Sequence, residues 1–130
     1  MKIAVAGVGY VGLVTAVTLA DVGHDVICLD VDKGKLKMLK EGISPIYEYG
    51  LEELMLKNRE RLEFTDDVTK YSEAQVIIIG VGTPEKEDGS ADLSAVFSAA
   101  DSIADNCSDG TVVVVKSTVP IGTCESVRRR

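Results

Sequence analysis

Residues 2–12 read KIAVAGVGYVG, an apolar run that leads into three closely spaced glycines. The run Lys2–Ala6 predicts a short buried strand, and the mostly apolar residues after the glycines predict a buried helix. Gly7, Gly9 and Gly12 therefore fall at a strand-to-helix turn, the context in which a GxGxxG pattern is informative. The first glycine permits the tight turn, the second lets a pyrophosphate approach the backbone, and the third lets the helix pack against the strand.

An acidic residue ends the next predicted strand. Asp30 follows Gly12 by 18 residues, near the spacing at which a carboxylate binds the ribose hydroxyls of a dinucleotide. Backbone N–H groups near Tyr10 and Val11 would point at the phosphates, aided by the helix dipole. Because a carboxylate repels the 2′-phosphate of NADP, the pattern predicts NAD as the cofactor. The alternatives are a glycine-rich turn without a ligand and a strand-end aspartate in solvent.

Strand-like and helix-like segments alternate along the whole chain, and this alternation predicts an α/β fold with a parallel sheet and right-handed crossovers. The predicted strands are Lys2–Ala6, Asp25–Asp30, Leu62–Thr65, Gln75–Val81 and Thr111–Val115. The predicted helices are Tyr10–Val22, Asp32–Glu41, a short helix after Gly50, one turn ending at Glu73, a helix capped by Asp92 and a last helix begun within Ile121–Arg130.

Composition narrows the class of protein. The 130 residues include 14 Lys and Arg against 21 Asp and Glu, a net charge of −7, and 45% are apolar. That balance predicts one globular domain and argues against nucleic acid as the partner. Residues 1–20 resemble a signal peptide, but their glycines disfavour a continuous helix, so we expect a cytoplasmic protein that does not bind a membrane.

The cysteines and the single histidine give no sign of a metal or nucleophile site. Cys28, Cys107 and Cys124 have spacings that match neither a disulfide framework nor a zinc motif, so we expect no metal. No base is recognisably paired with any of the three thiols. His24 lies far from the glycine turn, and we expect a structural or solvated side chain.

Two threonines follow the fourth and fifth predicted strands. Thr83 lies in the segment Gly82-Thr83-Pro84, and Thr118 ends the segment Lys116-Ser117-Thr118. Both lie at carboxyl ends of parallel strands, the edge at which α/β proteins bind ligands. From the residues alone, a functional role and an incidental one are equally open.

Five segments, in order and with their spacing intact, resemble the UDP-glucose/GDP-mannose dehydrogenase family, and within it the UDP-glucose 6-dehydrogenases. The resemblance covers essentially the whole chain and implies a Rossmann-type, doubly wound sheet with strand order 3-2-1-4-5. It also implies that residues 1–130 are the N-terminal NAD-binding domain of a longer enzyme, whose central helix and sugar-binding domain lie outside them. The five segments are 1–14, 44–54, 81–84, 88–93 and 116–123.

The family's chemistry, carried over by resemblance, is the oxidation of UDP-glucose to UDP-glucuronate with two NAD. A cysteine holds the carbon as a thiohemiacetal and then as a thioester. Thr118 matches the family's threonine beside the reacting carbon, which positions water or the developing oxyanion. The positions that match NAD contacts are Val11, Asp30, Lys35, Thr83 and Thr118.

Two departures from the family pattern limit what can be carried over. Tyr49 stands where the family has proline before Gly-Leu. The catalytic cysteine of the family lies in a GGSCFPKD-type segment that residues 1–130 do not contain, and its lysine and asparagine partners are also outside. We therefore expect the chain to bind NAD, to catalyse nothing alone, and to form a homo-oligomer through uncovered strand edges and apolar patches.

Three alternatives remain open at this point. The first is a family member for another sugar nucleotide, GDP-mannose or UDP-N-acetylmannosamine. The second is a stand-alone NAD-binding module without chemistry. The third is an FAD protein, because Ala16 extends the glycine pattern in the way flavin proteins do, although an aspartate at position 30 disfavours it.

Overall fold

The computed structural model describes all residues from 1 to 130 and contains one five-stranded parallel sheet in the order β3-β2-β1-β4-β5. The predicted fold class and strand order are confirmed. The strands are β1 (Lys2–Ala6), β2 (Asp25–Leu29), β3 (Leu62–Thr65), β4 (Val76–Ile79) and β5 (Val112–Val115). The helices are α1 (Tyr10–Asp21), α2 (Lys33–Lys40), α3 (Leu51–Lys57), α4 (Ser94–Asn106) and α5 (Thr123–Arg128), with 3-10 turns at Arg59–Arg61 and Val68–Glu73.

The fourth strand is shorter than predicted, and Asp92 is not the N-cap of the helix that follows it. Strand β4 ends at Ile79, whose carbonyl accepts the N–H groups of both Lys116 and Ser117, and the Ser117 hydroxyl donates to the Val81 carbonyl at 2.7 Å. Helix α4 starts at Ser94, and the Asp92 carboxylate accepts the Ser94 N–H at 3.0 Å from a position before the N-cap residue. Asp92 therefore forms a turn ahead of the helix.

Alternate residues of the central strands belong to two separate hydrophobic cores, because successive side chains of a strand point to opposite faces of the sheet. On one face, Val5 and Cys28 pack against α1, α2 and α3. On the other face, Ala6, Leu29 and Ile79 pack against α4 and the 3-10 turn that contains Tyr71. Both faces of the sheet are thus covered by helices, as the apolar strand sequences predict.

Polar contacts join the helices on the first face. The Asn58 amide and the Lys57 ammonium donate to the Asp21 carboxylate at 3.0 and 2.9 Å. These hydrogen bonds hold the pKa of Asp21 below its usual range, against a smaller opposing effect of burial. They link the end of α1 to the end of α3.

Strands β3 and β5 are the two edges of the sheet, and β5 is the more exposed of them. The side chains of Val112, Val113 and Val114 are exposed, and a groove of about 490 Å³ lies beside them, lined mainly by apolar residues of α4, β5 and α5. Unpaired strand edges of this kind are templates for pairing with another chain. None of the helices has the length and apolarity that spanning a membrane requires.

Candidate functional site: a dinucleotide cradle at the carboxyl edge

The sheet register brings the ends of four strands to one edge. Ala6 is paired with Leu29 and with Ile79, and Ile79 is paired with Val115. The segments that follow β1, β2, β4 and β5 therefore leave the sheet at the same level. The position of β1 between β2 and β4 makes this the point at which the strand order reverses, where α/β folds bind ligands.

The glycine turn after β1 has the geometry that its sequence predicts. Gly7 has a φ of +97°, a left-handed conformation that favours glycine. Its N–H donates to the Leu29 carbonyl at 2.8 Å, which ties the turn to β2. A Cβ atom at Gly12 would lie 1.8 Å from the Gly7 carbonyl oxygen, so α1 packs on the turn at a distance that only glycine permits.

Gly9 differs from its two neighbours because its missing side chain faces open space. A Cβ atom there would meet nothing within 4 Å. Gly9 is the N-cap of α1, and the first helical hydrogen bond runs from Leu13 N–H to the Gly9 carbonyl. The N–H groups of Tyr10, Val11 and Gly12 consequently have no partner within the helix. Free N–H groups beside an open glycine form a cradle that fits a pyrophosphate.

Asp30 lies directly after β2, beside this cradle. Its carboxylate accepts the Val8 N–H at 2.8 Å and the Asp32 N–H at 2.9 Å. Each carboxylate oxygen keeps a further lone pair, so the group is held by the backbone while still able to accept from ribose hydroxyls. Lys35 lies in the first turn of α2, and its ammonium makes no ion pair within the chain. The Lys35 ammonium is therefore available to a ligand that binds at Asp30.

Thr83 and Thr118 are brought together by a direct contact. The Thr83 hydroxyl donates to the Thr118 carbonyl at 2.7 Å. The Thr118 hydroxyl has no partner within the chain, and Thr118 is exposed. The buried Ser117 between β5 and Thr118 donates to the Val81 carbonyl, so the two loops are fastened to each other at the sheet edge.

A cavity of about 200 Å³ adjoins Asp30 on the face covered by α4. It is smaller than the several hundred Å³ typical of a site for a whole drug-sized ligand, and its size suits one end of a dinucleotide. Its polar groups are Asp30, Tyr71, Ser98 and Ser102, and the other lining residues are apolar or glycine. Sequence reasoning did not single out Tyr71, because nothing in its polar segment indicates that it reaches the strand ends.

A second contact that the sequence does not reveal joins the glycine turn to the loop before α3. The Tyr10 hydroxyl donates to the Glu48 carboxylate, and this hydrogen bond raises the pKa of Tyr10. Tyr49, which replaces the family's proline, is almost fully exposed. Two hydrogen bonds hold the start of this loop: the Ser44 N–H donates to Glu52 at 3.0 Å, and the Ser44 hydroxyl donates to the Ile46 carbonyl at 2.7 Å.

His24 lies away from the glycine turn, as predicted, and the three cysteines occupy different environments. Cys28 is fully buried, and burial raises the pKa of its thiol, which makes it an inert core residue. Cys107 is partly buried at the end of α4, and Cys124 is exposed. His24 lies within hydrogen-bonding distance of the Met1 amino group, 3.1 Å from Nδ1, at the end of the sheet opposite the cradle. No cluster of metal-ligating side chains is present.

Comparison with known proteins adds an independent observation. The family model described as "UDP-glucose/GDP-mannose dehydrogenase family, NAD binding domain" matches residues 1–130. The chain belongs to this family. Its cofactor is NAD, and residues 1–130 correspond to the NAD-binding domain of a nucleotide-sugar dehydrogenase.

The family members that it matches include proteins named for different sugars. A UDP-glucose 6-dehydrogenase of Rhizobium meliloti (strain 1021) is 53% identical over 133 residues, covering 99% of this chain and 30% of that protein. A GDP-mannose dehydrogenase of Pseudomonas aeruginosa, solved as a ternary complex, is 39% identical with a TM-score of 0.91, covering 98% of this chain and 30% of that one. A UDP-D-ManNAc dehydrogenase structure from Pyrococcus horikoshii is 34% identical with a TM-score of 0.94, and the match covers 99% of this chain and 31% of that one. The chain spans about 30% of the length of these relatives.

Proposed function

We propose that the chain is the cofactor half of a UDP-glucose 6-dehydrogenase, which oxidises UDP-glucose to UDP-glucuronate with two NAD⁺. The observation that carries this proposal is the convergence of the glycine cradle, Asp30 and the Thr83–Thr118 pair on one sheet edge. The choice of UDP-glucose rests on sequence likeness, since relatives at 53% and 52% identity carry that name. A sibling activity on GDP-mannose or UDP-N-acetylmannosamine is the second candidate, supported by the structural neighbours.

In this proposal the cradle and Asp30 bind and orient the cofactor. The N–H groups of Tyr10, Val11 and Gly12 donate to the pyrophosphate, and Gly9 leaves room for it. Asp30 accepts from the ribose hydroxyls, and Lys35 adds a positive charge beside them. NAD⁺, when bound, supplies the hydride acceptor.

Thr83 and Thr118 act at the reacting end. Thr83 fixes the Thr118 backbone through its hydrogen bond. The unpartnered Thr118 hydroxyl is then available to hold water or a developing oxyanion next to the reacting carbon. Thr118 is the one residue of the chain to which we assign a catalytic role.

Converting a primary alcohol to a carboxylate removes four electrons, so two hydrides leave and water supplies the second oxygen. No thiol of the chain is placed for covalent catalysis at the cradle, because Cys28 is buried and the other two lie on or near the α4–α5 groove. We therefore propose that the nucleophile and the sugar site belong to the part of the enzyme outside residues 1–130. The chain alone binds NAD and produces no NADH.

The test is a product balance on the whole enzyme, monitored by NADH absorbance with each of the three sugar nucleotides. Two NADH for each UDP-glucuronate, with UDP-glucose as the preferred substrate, would support the proposal. Preference for GDP-mannose or UDP-N-acetylmannosamine would instead support the second candidate function, activity on that sugar nucleotide. One NADH per product would refute the double oxidation.

A further inference from the structure

Tyr71 combines a buried ring with a hydroxyl that no protein group binds. The residue is 4% exposed and belongs to the core on the α4 face. Every fully buried side-chain oxygen in the molecule has a hydrogen-bond partner, and the Tyr71 hydroxyl has none among the contacts of the chain. The hydroxyl is therefore not sealed in the core, and Tyr71 lines the 200 Å³ cavity beside Asp30.

The cavity lies next to the group that fixes one end of the cofactor. Asp30 lines it, with both carboxylate oxygens already held by the Val8 and Asp32 N–H groups. If Asp30 binds the adenine-side ribose, the space beyond it receives the adenine ring. The walls suit a flat apolar ring, because Val31, Val68 and Ala95 line them and Val31 is 94% exposed in the structure, with its side chain free for a ligand to cover.

We propose that Tyr71 is a specificity residue for the adenine ring, whose hydroxyl donates a hydrogen bond to a ring nitrogen. The inference rests on the proposed function of the cradle as an NAD site. Adenine presents acceptor nitrogens at its edge, and apolar cavity walls need at least one directional partner to fix the ring's orientation. Tyr71 can supply this hydrogen bond with little loss of conformational entropy, because its ring is already immobilised in the core.

The protonation state of Tyr71 agrees with a donor role. Burial, with a contribution from the Asp30 charge, raises the pKa of Tyr71 to about 12. The hydroxyl thus stays protonated at any pH at which the protein would work. Ser98 and Ser102 are the other hydroxyls of the cavity, and both lie on α4.

The test compares Tyr71→Phe with the unaltered chain in calorimetric titrations with NAD and AMP. Loss of one neutral hydrogen bond weakens binding about three- to tenfold, and we expect the same factor for both ligands because they share the adenosine half. The thermal unfolding midpoint without ligand should not change, because the hydroxyl has no partner in the protein. Tyr49→Phe, which removes an exposed tyrosine hydroxyl, is the matched control and should bind both ligands normally.

Each outcome bears on a different claim. Equal affinities of Tyr71→Phe and the unaltered chain for AMP and NAD would overturn the role of Tyr71 and leave the cradle standing. A lower unfolding midpoint without ligand, in proportion to the lost affinity, would also overturn it, because the hydroxyl would then be structural. An unaltered chain that binds neither NAD nor AMP would refute the cradle itself, and the inference with it.

Discussion

Substitutions at the glycines of the cradle should separate folding from binding. A Cβ at Gly12 would lie 1.8 Å from the Gly7 oxygen and 2.8 Å from the Gly7 carbonyl carbon, whereas a Cβ at Gly9 would meet nothing within 4 Å. The obstacle at Gly12 is backbone, so no rotamer change relieves it, and α1 must move away from β1. Gly12→Ala should therefore damage the fold, and Gly9→Ala should not.

The loss of stability expected for Gly12→Ala is the difference between two opposed effects. Overpacking of a tight core costs about 1–3 kcal/mol, and rigid backbone on the other side of the contact places Gly12→Ala at the upper end. Alanine inside a helix recovers up to about 1 kcal/mol over glycine. The net loss is then about 2 kcal/mol, which for a domain of this size lowers the unfolding midpoint by roughly 8 °C. At Gly9 the backbone is extended, with φ −72° and ψ −166°, and the cost stays below about 1 kcal/mol.

The assay is thermal unfolding followed by circular dichroism, since the chain has no tryptophan to serve as a probe, paired with NAD calorimetry. Gly9→Val should keep the unfolding midpoint near that of the unaltered chain and lose NAD binding, because its side chain fills the pyrophosphate position. A Gly12→Ala variant as stable as the unaltered chain would refute the close packing. A Gly9→Val variant that binds NAD normally would place the phosphates elsewhere.

Four other outcomes are expected. Asp30→Asn, which keeps one acceptor oxygen for the backbone, should weaken NAD binding by about 1–3 kcal/mol and reduce the preference for NAD over NADP. Equal binding of NAD and NADP by the unaltered chain would contradict the role of Asp30. Thiol titration should modify Cys124 at once and Cys28 only after unfolding. Because the folded-state pKa of Asp21 is lowered, its stabilisation is present at neutral pH and disappears as the pH falls below about 4; Asp21→Asn should flatten that part of the acid-unfolding curve. The chain alone should yield no NADH from UDP-glucose and should self-associate in sedimentation, and a strict monomer would refute only the association.

The parts of the site that depend on backbone geometry could be predicted from the sequence. The glycine spacing, the acid at the end of β2 and the hydroxyls after β4 and β5 are local patterns with a fixed relation to strand ends. In a parallel sheet all of those ends share one edge. The alternation of strands and helices therefore predicts that Gly9, Asp30 and Thr118 lie at one edge of the sheet, without knowledge of any side-chain contact.

The contacts that could not be predicted join segments with no periodic relation to each other. Tyr10 and Glu48 meet across 38 residues, and Tyr71 reaches the cavity from a 3-10 turn whose sequence is polar on both sides. The start of α4 was also misplaced, because Asp92 can form a turn ahead of a helix as readily as an N-cap. In each case the outcome depends on how a loop packs in three dimensions rather than on the residue types in it.

The order of the strands determines the direction in which NAD would lie along the edge of the sheet. If the adenosine half of NAD lies beside Asp30 at the end of β2, the pyrophosphate crosses Gly9 at β1, and the nicotinamide half extends towards β4 and β5. That direction places the hydride acceptor next to Thr83 and Thr118, which are fastened to each other. The reacting end then lies nearest β5, the more exposed edge of the sheet. A sugar nucleotide would have to be presented from that side, so the residues that bind it are expected to pack beyond β5 rather than over α1 or α2.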